Sequence, residues 1–407
     1  MSSSLSTRVS LWLWLAGFFL ITCDRILKLD VAGFSLKASY ALFFASLCAL
    51  ALGAWRNRSL ATEIRALARH LGRQPWKFPL LMVVWAYGGS AFSLVPVKSF
   101  AYSTWLLFDL LVVVGTPLWL SQRDGWDWRC FYRILAAAVL FHGGVVLVDQ
   151  AAYQLGHTGG LIGFNQDADL QWGISRPAAF SFEPSYVAMF LCLGSTFLLH
   201  EVFLRREFLH PWVARAAAVV GVAAMITTTA RSGWLAFALQ LVLLGVAVTL
   251  HFPERRRQFL AAILGSLLVA AAFAVALPRQ QRMIVHKNLV RPLYDTREGG
   301  SGAARVRSMG YGWKMAMDTK FLGTGMGASH AYWKKMTAPD QFSGLSPSEY
   351  GQETVMSAWA QILAELGAPG ALLYLAFGVS LIGGILRSLL RTGSGLSAVA
   401  LVTCVVF

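Results

Sequence analysis

Charge is scarce in this chain. Only 14% of its 407 residues are Asp, Glu, Lys or Arg, where a water-soluble domain carries about a quarter. With 56% hydrophobic residues, that scarcity excludes a soluble globular domain and leaves a polytopic membrane protein. Cysteines are few (Cys23, Cys48, Cys130, Cys192 and Cys404) and none stand in a CxxC spacing, which argues against a disulfide framework or a thiolate metal site. Of the outward histidines, His157, His286 and His330, none keeps metal-ligand spacing with another His, Cys or Asp, and each reads as a surface residue. No nucleophilic triad is visible, and no internal repeat is evident. Neither a metal nor a cofactor is expected.

Apolar runs, by contrast, are abundant. A crossing helix needs roughly 17–25 apolar residues, and eleven candidates occur, at about 10–28, 36–55, 78–96, 101–120, 134–153, 183–204, 212–229, 232–250, 259–277, 356–386 and 396–407. The first begins like a signal peptide, with Arg8 ahead of Leu11, but Asp24, Arg25 and Lys28 occupy the place of a small-residue cleavage site; it is expected to be a retained span. The last is too short to cross, so the natural chain is expected to continue or the span to be incomplete. In the tenth, Gly367-Ala-Pro-Gly370 predicts a kink. The expected fold is an all-α integral membrane protein of about 11–12 transmembrane helices in three parts. These are a bundle over 1–277, a partly helical lid over 278–355 between spans nine and ten, and C-terminal helices over 356–407.

The net charge of +15 would point to nucleic acid in a soluble protein. Here the basic residues sit in short loops, so membrane orientation explains them first and no nucleic-acid partner is expected. The loops alternate: six basic residues between Arg56 and Lys77, three in each of 122–133, 205–215 and 254–257, but Lys98 alone and Arg176 alone in intervening ones. This pattern predicts a cytoplasmic N-terminus, with 154–182, 230–232 and 278–355 facing outward. Only the loop after the first span disagrees, since it holds Arg25, Lys28 and Lys37, partly balanced by Asp24 and Asp30. The outward segment 278–355 carries eleven Lys/Arg against six Asp/Glu, together with Trp313, Tyr332 and Trp333. A basic, aromatic cap over a helix bundle fits an anionic substrate at the outer membrane face.

Three stretches carry candidate chemistry. In Arg176-Pro-Ala-Ala-Phe-Ser-Phe-Glu183-Pro184-Ser185-Tyr186, Pro184 suits a helix first turn and Glu183 the positive end of its dipole. Arg176 is either an interface anchor or a phosphate ligand; Glu183 is a cap, a base or a group that orients a sugar hydroxyl. In Thr227-Thr-Thr-Ala-Arg231-Ser232-Gly233-Trp234, an arginine between two apolar spans is costly unless paired or ligand-facing. Its planar fork suits bidentate phosphate contact; the alternative is a snorkelling side chain that ends the span. The third stretch runs from Arg305-Val-Arg307 to Gly323-Thr-Gly325-Met-Gly327. It is either a flexible turn or an anion site built from backbone N–H groups and arginines. Glu349 and Glu353 near the tenth span are further candidate bases.

At these residues the chain resembles the O-antigen polymerase/ligase superfamily of integral-membrane glycosyltransferases. The resemblance runs from about Pro75 to Leu381. It rests on the order of the RPxxFSFEPSY, TTxARSGWL and Arg-x-Arg…Trp313…FLGTGMG stretches and of the Leu363-Ala-Glu-Leu-Gly367-Ala-Pro-Gly370 entry. It implies a metal-independent, inverting transfer on undecaprenyl-pyrophosphate-linked glycan at the periplasmic face of the bacterial inner membrane. By position, Arg176, Arg231, Arg305 and Arg307 would bind the pyrophosphate, Arg231 would also serve catalysis, and Glu183 or Glu353 would be the base. Membrane lipid, a chain-length regulator and a flippase are the partners it implies. Ligases of this family resemble one another in a histidine about eleven residues before the glycine of Glu-Leu-Gly; here that position is Met356, followed by Ser357. The Glu183-Pro-Ser form is similar to O-antigen and exopolysaccharide polymerases, so repeat-unit polymerisation is the expected activity and ligation the alternative. A flippase would show polar, broken segments deep in several spans and inverted halves, whereas here the polar groups gather at the outer ends. Substrate is expected between the lid and the outer ends of spans six to eight.

Overall fold

The structure, a computed structural model, describes residues 5–31, 34–73, 75–123, 125–157, 160–165, 175–203, 207–228, 230–251, 254, 256–261, 264, 301–337, 358–392 and 400. Apolar runs become helices because a bilayer offers the backbone no hydrogen-bond partner. In chain order they are α1 (Leu5–Phe19), α2 (Ala38–Arg56), α3 (Leu60–Leu71), α4 (Lys77–Ser90), α5 (Pro96–Asp109), a π-helical turn (Leu110–Gly115), α6 (Thr116–Gln122), α7 (Trp128–Gln154) and α8 (Pro184–Phe203). There follow α9 (Pro211–Thr227), α10 (Arg231–His251), α11 (Ser301–Asp318), α12 (Ser329–Thr337) and α13 (Ala358–Thr392). A hairpin of β1 (Lys28–Val31) and β2 (Phe34–Lys37) pairs antiparallel, with Lys28 opposite Lys37. Among the described residues, five helices are long and apolar enough to cross a membrane: α2, the run Pro96–Gln122, α7, α8 and α13; α9 and most of α10 are shorter apolar helices. The protein is an all-α membrane protein.

Small residues set the helix crossings, because they let backbones approach where lipid tails supply no hydrophobic drive. Gly143 lies on Val220 and Ala224, Gly194 on Val139, and Gly221 on Ser195, which packs α7, α8 and α9 together. Between α1 and α2, Gly17 meets the Phe43 ring and Ser10 Oγ stands 2.8 Å from Ser46 Oγ. Helices α8 and α10 run parallel: Gly233 sits on Ala188 near their starts, and deeper down Cys192 and Thr196 both donate to Gln240 Oε1. Helices α4 and α13 run antiparallel, with Trp85 Nε1 donating to the Leu366 carbonyl at 2.7 Å and the Trp76 and Phe377 rings 5.7 Å apart. As a result α1, α4, α7 and α9 end, and α2, α5, α8, α10 and α13 begin, at one end of the bundle, termed the upper end.

Four sequence expectations change. The first span is helical over Leu5–Phe19 rather than to residue 28; the chain turns at 20–27 and enters the hairpin. The basic stretch from Arg56 to Lys77 holds an amphipathic helix, α3, whose Leu67 and Leu71 are buried. Glu63 pins it, accepting from Ser59 Oγ, Trp119 Nε1 and Arg123 Nε at 2.6, 2.6 and 2.7 Å. Burial opposes ionisation there, but these donors outweigh it and hold the Glu63 carboxyl below its usual range. The fourth span is not uniform: its π turn loosens the ladder, and Trp14 Nε1 takes up the Val112 carbonyl at 3.1 Å. The hairpin adds strand where none was expected. The kink expected at the Gly-Ala-Pro-Gly run is present, at Gly367. The ninth candidate span lies almost wholly, and the eleventh all but residue 400, outside the described residues, as do 278–300 and 338–355 of the expected lid and the first two residues of the tenth span.

Candidate functional site

The upper end gathers the motif residues. Pro184 opens α8, where its missing N–H leaves nothing unsatisfied. Ahead of it, residues 175–183 fold back along the upper turn after α1. The Arg25 N–H donates to the Phe180 carbonyl at 3.0 Å, and the Phe182 N–H donates to Asp24 Oδ1 at 3.0 Å. On the other side Phe164 exchanges backbone hydrogen bonds with Ala178 and Ala179 at 2.8 and 2.7 Å. Buried Asp149, on α7, fixes that loop by accepting the N–H groups of Leu161, Ile162 and Gly163 at 2.8, 2.9 and 3.0 Å. The segment is thus held by two acidic side chains rather than by its own sequence.

Within this frame Glu183 is exposed, and its Oε2 accepts Ser185 Oγ at 2.8 Å. Arg176, seven residues earlier, is half-buried, next to Pro177, which bridges to Asn165. Two cations that sequence reading set aside flank the same stretch. The Arg25 guanidinium lies 3.9 Å from the Phe164 ring centroid, and Lys28 Nζ lies 4.9 Å from that of Phe182, both within cation–π range. Lys37 Nζ pairs with Asp24 Oδ2 at 3.1 Å. The signal that pointed to them was their breach of the positive-inside pattern. Asp24 appeared in the sequence only as a partial charge balance, because the Phe182 N–H it holds lies 158 residues on; Asp149 gave no signal although its partners follow 12–14 residues later.

Arg231 is the first residue of α10, which begins next to the first turn of α8 because Gly233 sits on Ala188. The structure therefore brings the starts of the Glu183 and Arg231 motifs to neighbouring, parallel helix N-termini. Two such ends add their dipoles toward an anion. Arg305 and Arg307 lie in α11. The side chains of these three arginines, and Glu353 altogether, lie outside the described residues.

The glycine stretch is corrected toward a packed junction. Gly323, Gly325 and Gly327 have φ of +92°, +93° and +70°, a region open to glycine. Their N–H groups are already used within the protein: Gly325 donates to the Glu365 carbonyl at 3.0 Å, Gly327 to Glu365 Oε2 at 2.8 Å, and Gly323 to Thr319 Oγ1 at 3.3 Å. No nest of free N–H groups remains for an anion. A Cβ on Gly325 would meet Ser93 Cβ at 2.6 Å, and one on Gly327 would meet the Tyr102 ring at 3.0 Å. The stretch thus wedges between the α4–α5 turn and α13. Glu365, buried, also accepts Ser329 Oγ at 2.8 Å, tying α12 to the junction. Beneath it Lys98 is buried, with Nζ 5.5 Å from the Tyr102 ring. Tyr311 and Trp333 stack at 3.9 Å, and α11 packs on α13 through Met315, Ala360 and Ala364. Burial, then the charge of Asp318, raise the Tyr332 hydroxyl above its ordinary value, so it stays protonated at neutral pH. His157 is exposed and His330 half-buried.

A search of curated proteins finds no match to the chain. The family model described as O-antigen ligase matches residues 216–375. That range takes in Arg231, Arg305, Arg307, the glycine junction, Glu353 and Glu365, whereas Arg176 and Glu183 precede it. With its apolar helices it marks a membrane protein of the glycosyl-transfer type, acting on lipid-linked glycan. Residues 216–375 carry the domain of the O-antigen polymerase/ligase superfamily.

Proposed function

We propose that the protein polymerises undecaprenyl-pyrophosphate-linked oligosaccharide repeats into O-antigen or exopolysaccharide at the periplasmic face of the inner membrane. The observation that carries this reading is the pairing of the α8 and α10 N-termini, which sets Glu183-Pro184-Ser185 and Arg231-Ser232 at one end of the bundle. An acceptor hydroxyl attacks the anomeric carbon of the donor sugar, the sugar–oxygen bond to pyrophosphate breaks, and the configuration inverts. Arg176 and Arg231 stabilise the departing pyrophosphate, where charge builds up in the transition state. Arg305 and Arg307 on α11 add positive charge from the lid. Glu183, or Glu353, takes the hydroxyl proton. No metal takes part in this scheme.

Ligation is the second reading, favoured by the description of the matched family model. A glycan size ladder from host cells lacking this chain separates the two. Surface glycan capped at one repeat unit is the outcome expected for a polymerase. A full ladder retained on the carrier lipid and missing from its acceptor would make the protein a ligase.

A further inference from the structure

Between α2, α4, the π turn and α13 lies a cavity of about 420 Å³, within the range of roughly 300–1,000 Å³ typical of ligand clefts. Its lining is graded along the bundle axis. Lys37, Ser39, Tyr40 and Asp109 stand toward the upper end, whereas Trp76 and Pro79, at the start of α4, and Phe377, far down α13, stand toward the other. Between them the walls are apolar, with Met82, Val83, Val113 and Leu373. The Tyr40 ring lies 4.9 Å from Trp105 and 6.2 Å from Phe108, which places Asp109 level with the first turns of α2. An apolar slot in the membrane body with charged groups at one mouth fits an amphiphile threaded chain first.

Two further observations mark the slot as built for a ligand. The π turn begins directly after Asp109 and carries Leu110, Val113 and Val114 onto the cavity wall; such turns concentrate at functional sites. Asp109 Oδ1 is buried and accepts no hydrogen bond among the described residues, which is costly for a carboxylate inside a membrane. The mouth is also continuous with the candidate site. Lys37 lines the cavity and pairs with Asp24 at 3.1 Å, and the other oxygen of Asp24 accepts the N–H of Phe182, the neighbour of Glu183.

We infer that this cavity seats the pyrophosphate-proximal isoprene units of the lipid-linked glycan, with the pyrophosphate at the Lys37 mouth and the sugars over residues 175–183. The inference rests on the functional reading above and assigns part of the substrate that lies in the membrane. Lys37 then faces Asp24, Asp109 and the pyrophosphate together, with Arg25, Lys28 and Arg176 supplying further positive charge at that end.

The test compares binding of undecaprenyl pyrophosphate and geranyl pyrophosphate to the full-length protein in nanodiscs. Wild-type protein is expected to bind the long chain more tightly by about tenfold, because the slot gives a long chain close-packed van der Waals contacts along its walls that a geranyl chain is too short to make. Val114→Phe narrows the slot from the π turn and Leu373→Trp from α13. Each is expected to erase the long-chain advantage while geranyl pyrophosphate binding stays within about twofold. A retained long-chain advantage in both variants overturns the inference, and so does an equal loss for both ligands. Native mass spectrometry showing a phospholipid held in place of the polyprenyl chain overturns it too. Wild-type protein that binds neither pyrophosphate overturns the functional reading itself. Binding of both with no preference for length overturns only the seat of the chain.

Discussion

Glu183 stands where a proton can be collected from an incoming hydroxyl: exposed, ahead of Pro184, with Ser185 Oγ on one carboxylate oxygen. A base has to reach substrate, and that favours Glu183 over buried Asp149, whose oxygens accept backbone N–H groups, and buried Asp24, whose oxygens are taken by the Phe182 N–H and Lys37 Nζ. Glu365 is excluded on the same ground, since Gly327 and Ser329 occupy its oxygens. Glu183→Gln removes the base while leaving an acceptor for Ser185. It is expected to lower turnover of purified enzyme by about 10²–10⁴, the usual worth of a general base, with membrane levels unchanged. Glu353→Gln is expected to stay within about tenfold of wild type. The reverse order in a single-turnover assay would transfer the role to Glu353. At this scale sequence reading located the motifs but not their surroundings. Arg25 and Lys28 appeared only as orientation anomalies, because what explains them, the rings of Phe164 and Phe182, lies over a hundred residues away.

Among the elements, α13 does two jobs, and Gly367 divides them. Its φ of 67° and ψ of −165° fall in a region that is essentially glycine-only, and a Cβ there would run into the Phe321 carbonyl. The residues before Gly367 form the platform for α11 and the glycine junction, and those after it, with Pro369 in their first turn, continue along α4. Backbone bonds across the break, Ala368 N–H to the Phe321 carbonyl at 2.8 Å and Thr324 N–H to that of Ala364 at 2.9 Å, stitch the two segments. Gly367→Ala is therefore expected to destabilise the protein by about 3 kcal/mol or more. Gly378→Ala, at a helical position with open space around it, is expected to be neutral or slightly stabilising. Thermal unfolding in detergent compares them, and equal midpoints would show that the junction bears no strain. The kink was legible because Gly-Ala-Pro-Gly is a local signal, as hydropathy is for the long spans. Helix α3 was not, because its period is hidden in a run of six basic residues. Nor was the π turn, whose freed carbonyl is satisfied by Trp14, almost a hundred residues earlier in the chain.

Over the whole molecule, the two ends of the bundle use positive charge differently. At the lower end Arg56, Arg58, Arg65, Arg69 and Arg73 crowd around α3 and are exposed. At the upper end the cations are engaged: Lys37 with Asp24, Arg25 and Lys28 on aromatic rings, and Lys98 buried against Tyr102. The positive-inside bias acts on short loops rich in Lys and Arg, and the lower end is the one that has them in excess. The breach by Arg25, Lys28 and Lys37 is therefore no argument for an inverted topology; those residues have local work at the upper end. The lower end is then expected in the cytoplasm and α12 in the periplasm. In a cysteine-free background, Lys335→Cys is expected to react with a membrane-impermeant maleimide on cells with a permeabilised outer membrane. Arg69→Cys is expected to react only after the inner membrane is breached. Labelling of Arg69→Cys in intact spheroplasts would turn the molecule over. It would place Glu183 and Arg231 in the cytoplasm, and a polymerase acting on exported repeats has no substrate there.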